Sequence, residues 1–108
     1  MKRIFIAHSL GLTNKALEYV KKLEENGYIV YIPGRDTPQN LTVEEILRRN
    51  LDAIKWCDEV HVFWDGASYG TIFDLGSAYA LGKPIKVVYI KHRTWYSHLR
   101  EHEGNFLR

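Results

Sequence analysis

Short apolar runs alternate with helical periods through residues 4–90, and no other feature of this chain constrains its architecture so tightly. Ile4–Ala7 reads as a first buried strand. From Asn14 to Asn26 apolar residues recur at Ala16, Leu17, Tyr19, Val20 and Leu23, a helical stripe closed by Gly27. Tyr28–Ile32 is a second strand, stopped by Pro33-Gly34 and followed by a polar loop over residues 35–40. Thr42, with Glu45 three residues on, has capping-box spacing, and the helix it opens carries Val43, Ile46, Leu47, Leu51 and Ile54 on one face. Glu59–Trp64 is a third strand, Thr71–Leu81 a third helix ended by Gly82-Lys83-Pro84, and Ile85–Ile90 a fourth strand. Strand alternating with helix on this spacing predicts right-handed βαβ units and a parallel sheet covered on both faces.

The expected architecture is therefore α/β: a single-domain three-layer sandwich with a parallel sheet, flavodoxin- or Rossmann-like, forming one domain over residues 1–108. A chain of this length buries roughly two thirds of its unfolded surface and needs no staples. The tail, residues 91–108, carries Trp95, Tyr96, Leu99 and Phe106 and fits either a short docking helix or a final strand.

Composition narrows the function classes. The formal charge is +2 and the basic residues are scattered apart from Arg48-Arg49 and Lys91-His92-Arg93, which disfavours a nucleic-acid polymer and leaves a single anionic metabolite open. Cys57 has no partner for an internal disulfide and sits in an apolar-flanked helix end, so a buried inert thiol is expected. The N-terminus enters a strand pattern without signal-peptide architecture and no apolar run approaches membrane-spanning length; the expected compartment is the cytoplasm, with no membrane partner. His8 and His61 lack ligand-spaced partners, so neither a metal nor a cofactor is expected.

In open α/β sheets ligands bind at the carboxyl ends of the strands, where strand order reverses. Residues 8–14, 33–37 and 65–70 form the loops that reach this edge. The last of them joins an apolar strand to a helix through Gly66 and Gly70 and leaves one carboxylate, Asp74, just inside the helix. A helix start offers unpaired N–H groups and a positive dipole end, which hold a phosphate or keep a nearby carboxylate ionised.

Residues 50–62 (NLDAIKWCDEVHV), followed by residues 68–84 (SYGTIFDLGSAYALGKP), resemble the nucleoside 2-deoxyribosyltransferase family, which includes the deoxynucleoside 5′-monophosphate N-glycosidases. The likeness is strongest in the second half of the chain. It implies N-glycosidic bond cleavage or deoxyribosyl transfer on a nucleoside or nucleoside 5′-monophosphate, with Asp74 as the carboxylate nucleophile where the family carries glutamate. It also implies substrate contacts from His8, Ser9 and Gly11 after the first strand, from Asn50 where the family has aspartate, and from Ser68, the phosphate contact of the nucleotide-cleaving branch. By the same resemblance subunits pair, giving a homodimer or higher homo-oligomer. Beside it, the residues themselves suggest Arg35, Asp65 and Gly70 as further substrate contacts, Asp65, His8 or Asp36 as proton donor to the leaving base, and Trp64 and Tyr69 as stacking rings.

Each of these has a plainer reading: Asp74 as a helix-dipole partner, Ser68 as an N-cap, Arg35 as a solvated loop residue, His61 as a residue packed against a helix. Two alternative functions follow. One is a nucleotide-binding or sensor module without catalysis; the other rests on Arg3–Ser9, which also resembles the first strand of Toll/interleukin-receptor-like domains, some of which cleave NAD.

Overall fold

The computed structural model describes residues 1–91 and 106–107. Strands β1 (Arg3–His8), β2 (Ile29–Tyr31), β3 (Glu59–Trp64) and β4 (Ile85–Ile90) form a parallel sheet in the order β2-β1-β3-β4, and β5 (Phe106–Leu107) pairs antiparallel with β4. The tail thus supplies a short final strand; the docking helix around Trp95, Tyr96 and Leu99 lies outside the described residues.

Alternation along the strands divides the core in two. Ile4 and Ile6 of β1 and Phe63 of β3 pack with Val30 and Ile32 against Ala16 and Val20 of α1 (Thr13–Glu25). Phe5, Ala7, Val60, Val62 and Trp64 point the other way, toward Ala53 and Ile54 of one helix and Leu75 and Ala78 of another. These are α3 (Val43–Trp56) and α4 (Tyr69–Ala80), which lie side by side. The layers are therefore helix, sheet and helix, and strands buried on both faces explain why their sequences are almost wholly apolar.

His61 on β3 faces α1, where its Nε2–H donates to Glu59 Oε1 at 2.8 Å and its Nδ1 accepts from the Tyr19 hydroxyl at 2.6 Å. It is packed against a helix, as the plainer reading held. Cys57 is buried, its thiol donates to the Ile54 carbonyl at 3.1 Å, and burial pushes its pKa up to about 11. No helix among the described residues is long and apolar enough to cross a membrane.

Beyond β2, which is shorter than the expected Tyr28–Ile32, three features differ from expectation. The Pro33-Gly34 stop is the first turn of a short helix, α2 (Pro33–Asp36), because proline is pre-set for the first helical position and Asp36 accepts the Ile32 N–H at 2.9 Å. In α3 the capping box of Thr42 and Glu45 forms, but Val43 at its first position is 74% exposed; the buried stripe is Asn50, Ala53 and Ile54. The helix expected to start at Thr71 starts at Tyr69, because Ser68 caps it.

Candidate active site

Strand order reverses between β1 and β3: the chain leaves β1 toward β2 on one side and leaves β3 toward β4 on the other. The loops that follow these two strands are joined by Ser9. Its N–H donates to the Phe63 carbonyl at 2.9 Å and its Oγ accepts the Asp65 N–H at 3.0 Å, while Ser9 itself has no exposed surface. Expected as a substrate contact, Ser9 is instead sealed beneath the loops, because the β1–β3 ladder continues past the strand ends through its backbone.

The turn after β3 is set by Asp65 and Gly66. Asp65 Oδ1 accepts the N–H groups of Ala67 at 2.8 Å and Ser68 at 2.9 Å, and Gly66 takes φ +84°. The Ala67 N–H bond, followed by that of Ser68, holds the Asp65 carboxyl below the usual carboxylate range, and the same bonds build the turn. Ser68 is the N-cap: its Oγ accepts the Thr71 N–H at 3.3 Å and the Thr71 hydroxyl at 3.2 Å, which leaves its own O–H to donate outward. Gly70 is exposed in the first turn, and a Cβ there would meet only Ser68 Oγ at 3.9 Å. Trp64 is buried and its indole N–H donates to the Ser68 carbonyl at 3.3 Å, so it braces the turn; Tyr69 stands at the surface.

Asp74 lies one turn further into α4, on the stripe Thr71, Asp74, Leu75 and Ala78 that faces the sheet. It is 6% exposed, and its Oδ1 is fully buried without a hydrogen-bond partner. Burial alone pushes its pKa up to about 7. It lies beyond the first turn, so the helix-dipole reading does not account for it. A buried carboxylate left unpaired is costly, and such groups cluster where chemistry uses them.

Asn50 occupies the corresponding stretch of α3. Both helices begin at the carboxyl edge of the sheet and touch β1, and at 1.5 Å per residue Asn50 lies about 10 Å along α3 and Asp74 about 8 Å along α4. Asn50 is 7% exposed, and its Oδ1 accepts the Thr37 hydroxyl at 2.9 Å. Thr37, buried at the end of α2, is a residue that sequence reasoning left in a loop; a single threonine in a polar stretch gives no signal of such a bond.

The remaining candidates are held elsewhere. Arg35 turns back from the edge to Glu24 in the last turn of α1 (3.2 Å), the Val30 carbonyl (3.0 Å) and Asp36 (2.8 Å), a pairing that raises its pKa further. Two carboxylates thus pair with its charge, and its side chain is directed toward α1. His8 Nε2 accepts the Gly34 N–H at 3.1 Å, which places its proton on Nδ1 toward the Ser9 carbonyl at 3.2 Å; burial lowers its pKa and keeps it neutral. Asp36 accepts from the Ile32 N–H and from Arg35. Gly11 is exposed in a 3-10 turn, residues 10–12, with open space around it. Among the described residues no group of three or more His, Cys, Asp or Glu side chains is arranged to hold a metal ion.

What the structure gathers at the reversal point is a helix start capped by Ser68 with Gly70 in its first turn, a buried protonatable carboxylate one turn below it, and a buried amide on the adjoining helix. The sequence model of the family described as nucleoside 2-deoxyribosyltransferase matches residues 5–107. No curated protein sequence matches significantly. Among solved structures, a 2-deoxyribosyltransferase from Leishmania mexicana superposes with TM-score 0.69 at 23% identity, covering 97% of this chain and 73% of that one. A CMP N-glycosidase from Clostridium botulinum gives 0.66 at 24%, covering 93% and 82%. A 2-deoxyribosyltransferase from Bacillus psychrosaccharolyticus gives 0.64 at 23%, covering 81% and 72%.

Proposed function

This chain belongs to the nucleoside 2-deoxyribosyltransferase family, and on that premise we propose that it breaks the N-glycosidic bond of a nucleoside or nucleoside 5′-monophosphate, with Asp74 as nucleophile. The observation that carries this reading is the buried, unpartnered Asp74 carboxylate one turn below an anion-accepting helix start. The family model spans residues 5–107, far more than the likeness of Arg3–Ser9 to Toll-type domains, and structural relatives described as deoxyribosyltransferases and a CMP N-glycosidase support the same chemistry.

Departure of the base leaves cationic character on the anomeric carbon. A carboxylate oxygen of Asp74 bonds to that carbon as the C–N bond breaks, and the base leaves with the electron pair and takes up a proton. Water then attacks the same carbon and breaks the Asp74–sugar ester; a second base in its place makes the reaction a transfer. The outward O–H of Ser68 and the N–H groups of the first turn of α4 are the binding site for a 5′-phosphate. Aspartate is a methylene shorter than glutamate, so the sugar sits closer to α4 than it would in a glutamate enzyme.

The functional unit is a homodimer. Apart from Asp74, α4 has no charged residue, and its outer side presents Tyr69, Ile72, Phe73 and Tyr79 around Gly76, continued by Leu81. At 89, 42, 42, 61 and 42% exposure the large side chains offer roughly 500 Å², well over half of the about 800 Å² per partner of a standard interface. A helix apolar all round is one that is covered. Nucleotide substrates and a reduced thiol at Cys57 fit a cytoplasmic setting.

The test is base release, followed by chromatography, from a mixed set of deoxynucleosides, their monophosphates and NAD. Wild type is expected to release base from a nucleoside or monophosphate. Asp74→Asn is expected to lower release by at least roughly a hundredfold while still binding, and Asp74→Glu to retain it. Release by Asp74→Asn at the wild-type rate would refute the nucleophile.

A further inference from the structure

Tyr31, Thr37 and Asn50 form a hydrogen-bonded chain on the face of the sheet that carries Asp74. The Tyr31 ring stacks on Phe5, with centroids 5.8 Å apart and planes 10° from parallel, and Phe5 belongs to the core that includes Leu75 and Ala78 of α4. The Tyr31 hydroxyl meets Thr37 Oγ1, and Thr37 Oγ1–H donates to Asn50 Oδ1 at 2.9 Å. A threonine hydroxyl has one hydrogen. With that hydrogen spent on Asn50, Tyr31 is the donor to Thr37, and the order of protons runs from Tyr31 through Thr37 to Asn50.

This order fixes which end of the Asn50 amide is free. Oδ1 is held by Thr37, so the NH2 group is the end that is left, and it has no partner among the described residues. Thr37 is 3% and Asn50 7% exposed, so the bond between them is shielded from water and the amide does not turn over freely. A nine-tenths-buried amide with unused donors, on the helix beside Asp74 and at similar depth, is built to meet an acceptor on a ligand.

We propose that Thr37 is a positioning residue that locks the Asn50 amide with its NH2 group toward the substrate, so that the group bound there is a hydrogen-bond acceptor of the base or of the sugar. The proposal rests on the nucleoside reading of the Asp74 site. An aspartate at position 50 gives the opposite pattern: it accepts from Thr37 with one oxygen and faces the ligand with another acceptor. Asn50 thus reverses the polarity of recognition relative to an acid at this place, and Thr37 keeps it reversed. Tyr31 supports the lock by occupying one of the two acceptor lone pairs of Thr37, which favours Thr37 as the donor to Asn50.

The test is a titration of wild type, Thr37→Val, Thr37→Ser, Tyr31→Phe, Asn50→Ala and the Thr37→Val/Asn50→Ala double variant with a deoxynucleoside monophosphate that wild type binds, together with KM and kcat. Thr37→Val is expected to raise Kd and KM about tenfold with kcat within about twofold. Thr37→Ser is expected to restore binding, and the double variant to bind no worse than Asn50→Ala alone, because the two residues act as one unit. Deoxyribose 5-phosphate, which has no base, separates the sources: an unchanged Kd for it in Thr37→Val places the acceptor on the base, and a parallel loss places it on the sugar. Wild-type affinity in Thr37→Val, or additive losses in the double variant, would overturn the positioning role while leaving the nucleoside site standing. If Thr37→Val does not fold, equal binding by Tyr31→Phe and Thr37→Ser with no loss in Asn50→Ala overturns it as well. A wild type that binds no nucleoside or nucleotide removes both readings.

Discussion

Gly34 lies against the imidazole of His8 so closely that a β-carbon on it would come within 3.0 Å of Cε1 and 3.1 Å of both Nε2 and the Thr13 methyl. The same residue donates its N–H to Nε2 at 3.1 Å. This contact ties α2, and with it Thr37, to the end of β1.

Gly34→Ala is therefore expected to push α2 away from β1 and to lower stability by about 1–3 kcal/mol, the range for overfilling a packed contact. Chemical denaturation checks this. Gly11→Ala is the control: the position has open space and φ outside the left-handed region, so its stability should stay level or rise by up to about 1 kcal/mol.

Asp74 makes stability depend on pH through one proton. Its folded-state pKa of about 7 lies above the ordinary 3.8, so between these values the unfolded chain gives up the proton first and stability falls as pH rises. Above pH 7 the full penalty is in place, on the order of 4 kcal/mol. Asp74→Asn should match wild type in stability near pH 4 and exceed it increasingly up to pH 8, measured by denaturant titration across pH. In the proposed mechanism Asp74 attacks in its ionised form, so kcat/KM is expected to rise with pH and level off above about 7.

Ser68 both caps α4 and offers its hydroxyl outward. Ser68→Ala should cost about 1 kcal/mol of stability through the lost cap. It should also weaken a deoxynucleoside monophosphate several-fold more than the matching nucleoside, as paired calorimetric titrations would show. Equal losses for both would assign Ser68 to the cap alone.

Phe73 stands at the middle of the apolar outer side of α4. Sedimentation of wild type should give a dimer, and Phe73→Glu a monomer, because two copies of the new charge would be buried against each other across a two-fold axis. A wild-type monomer at micromolar concentration would refute this interface.

The sheet, its order of elements and the two buried faces were legible because each rests on local pattern: unbroken apolar runs in Ile4–Ala7 and Val60–Trp64, interrupted only by His61, and the capping box at Thr42. Asp74 was legible for a related reason, since its place in the helix follows from the turn before it. Side chains in the edge loops were not. The direction of Arg35 is decided by Glu24, eleven residues earlier on another element, and that of Ser9 by the backbone of Asp65. Loop position marked Arg35 and the family resemblance marked Ser9 as ligand contacts, and neither source of expectation carries the tertiary partners these side chains meet. Thr37 shows the converse, a loop residue with no sequence signature whose role comes from meeting Tyr31 and Asn50 in space.

The rung that Ser9 adds beyond β1 and β3 also decides how this protein is able to move. With Ser9 N–H on Phe63 and Asp65 N–H on Ser9 Oγ, the two loops at the reversal point are tied to each other. Local opening is then expected on the opposite side, where residues 38–41 connect α2 to α3 and Gln39 bonds back to the Pro33 and Thr37 carbonyls. Slow hydrogen exchange at the Ser9 and Asp65 amides, beside fast exchange over that connection, is the signature such a hinge would leave.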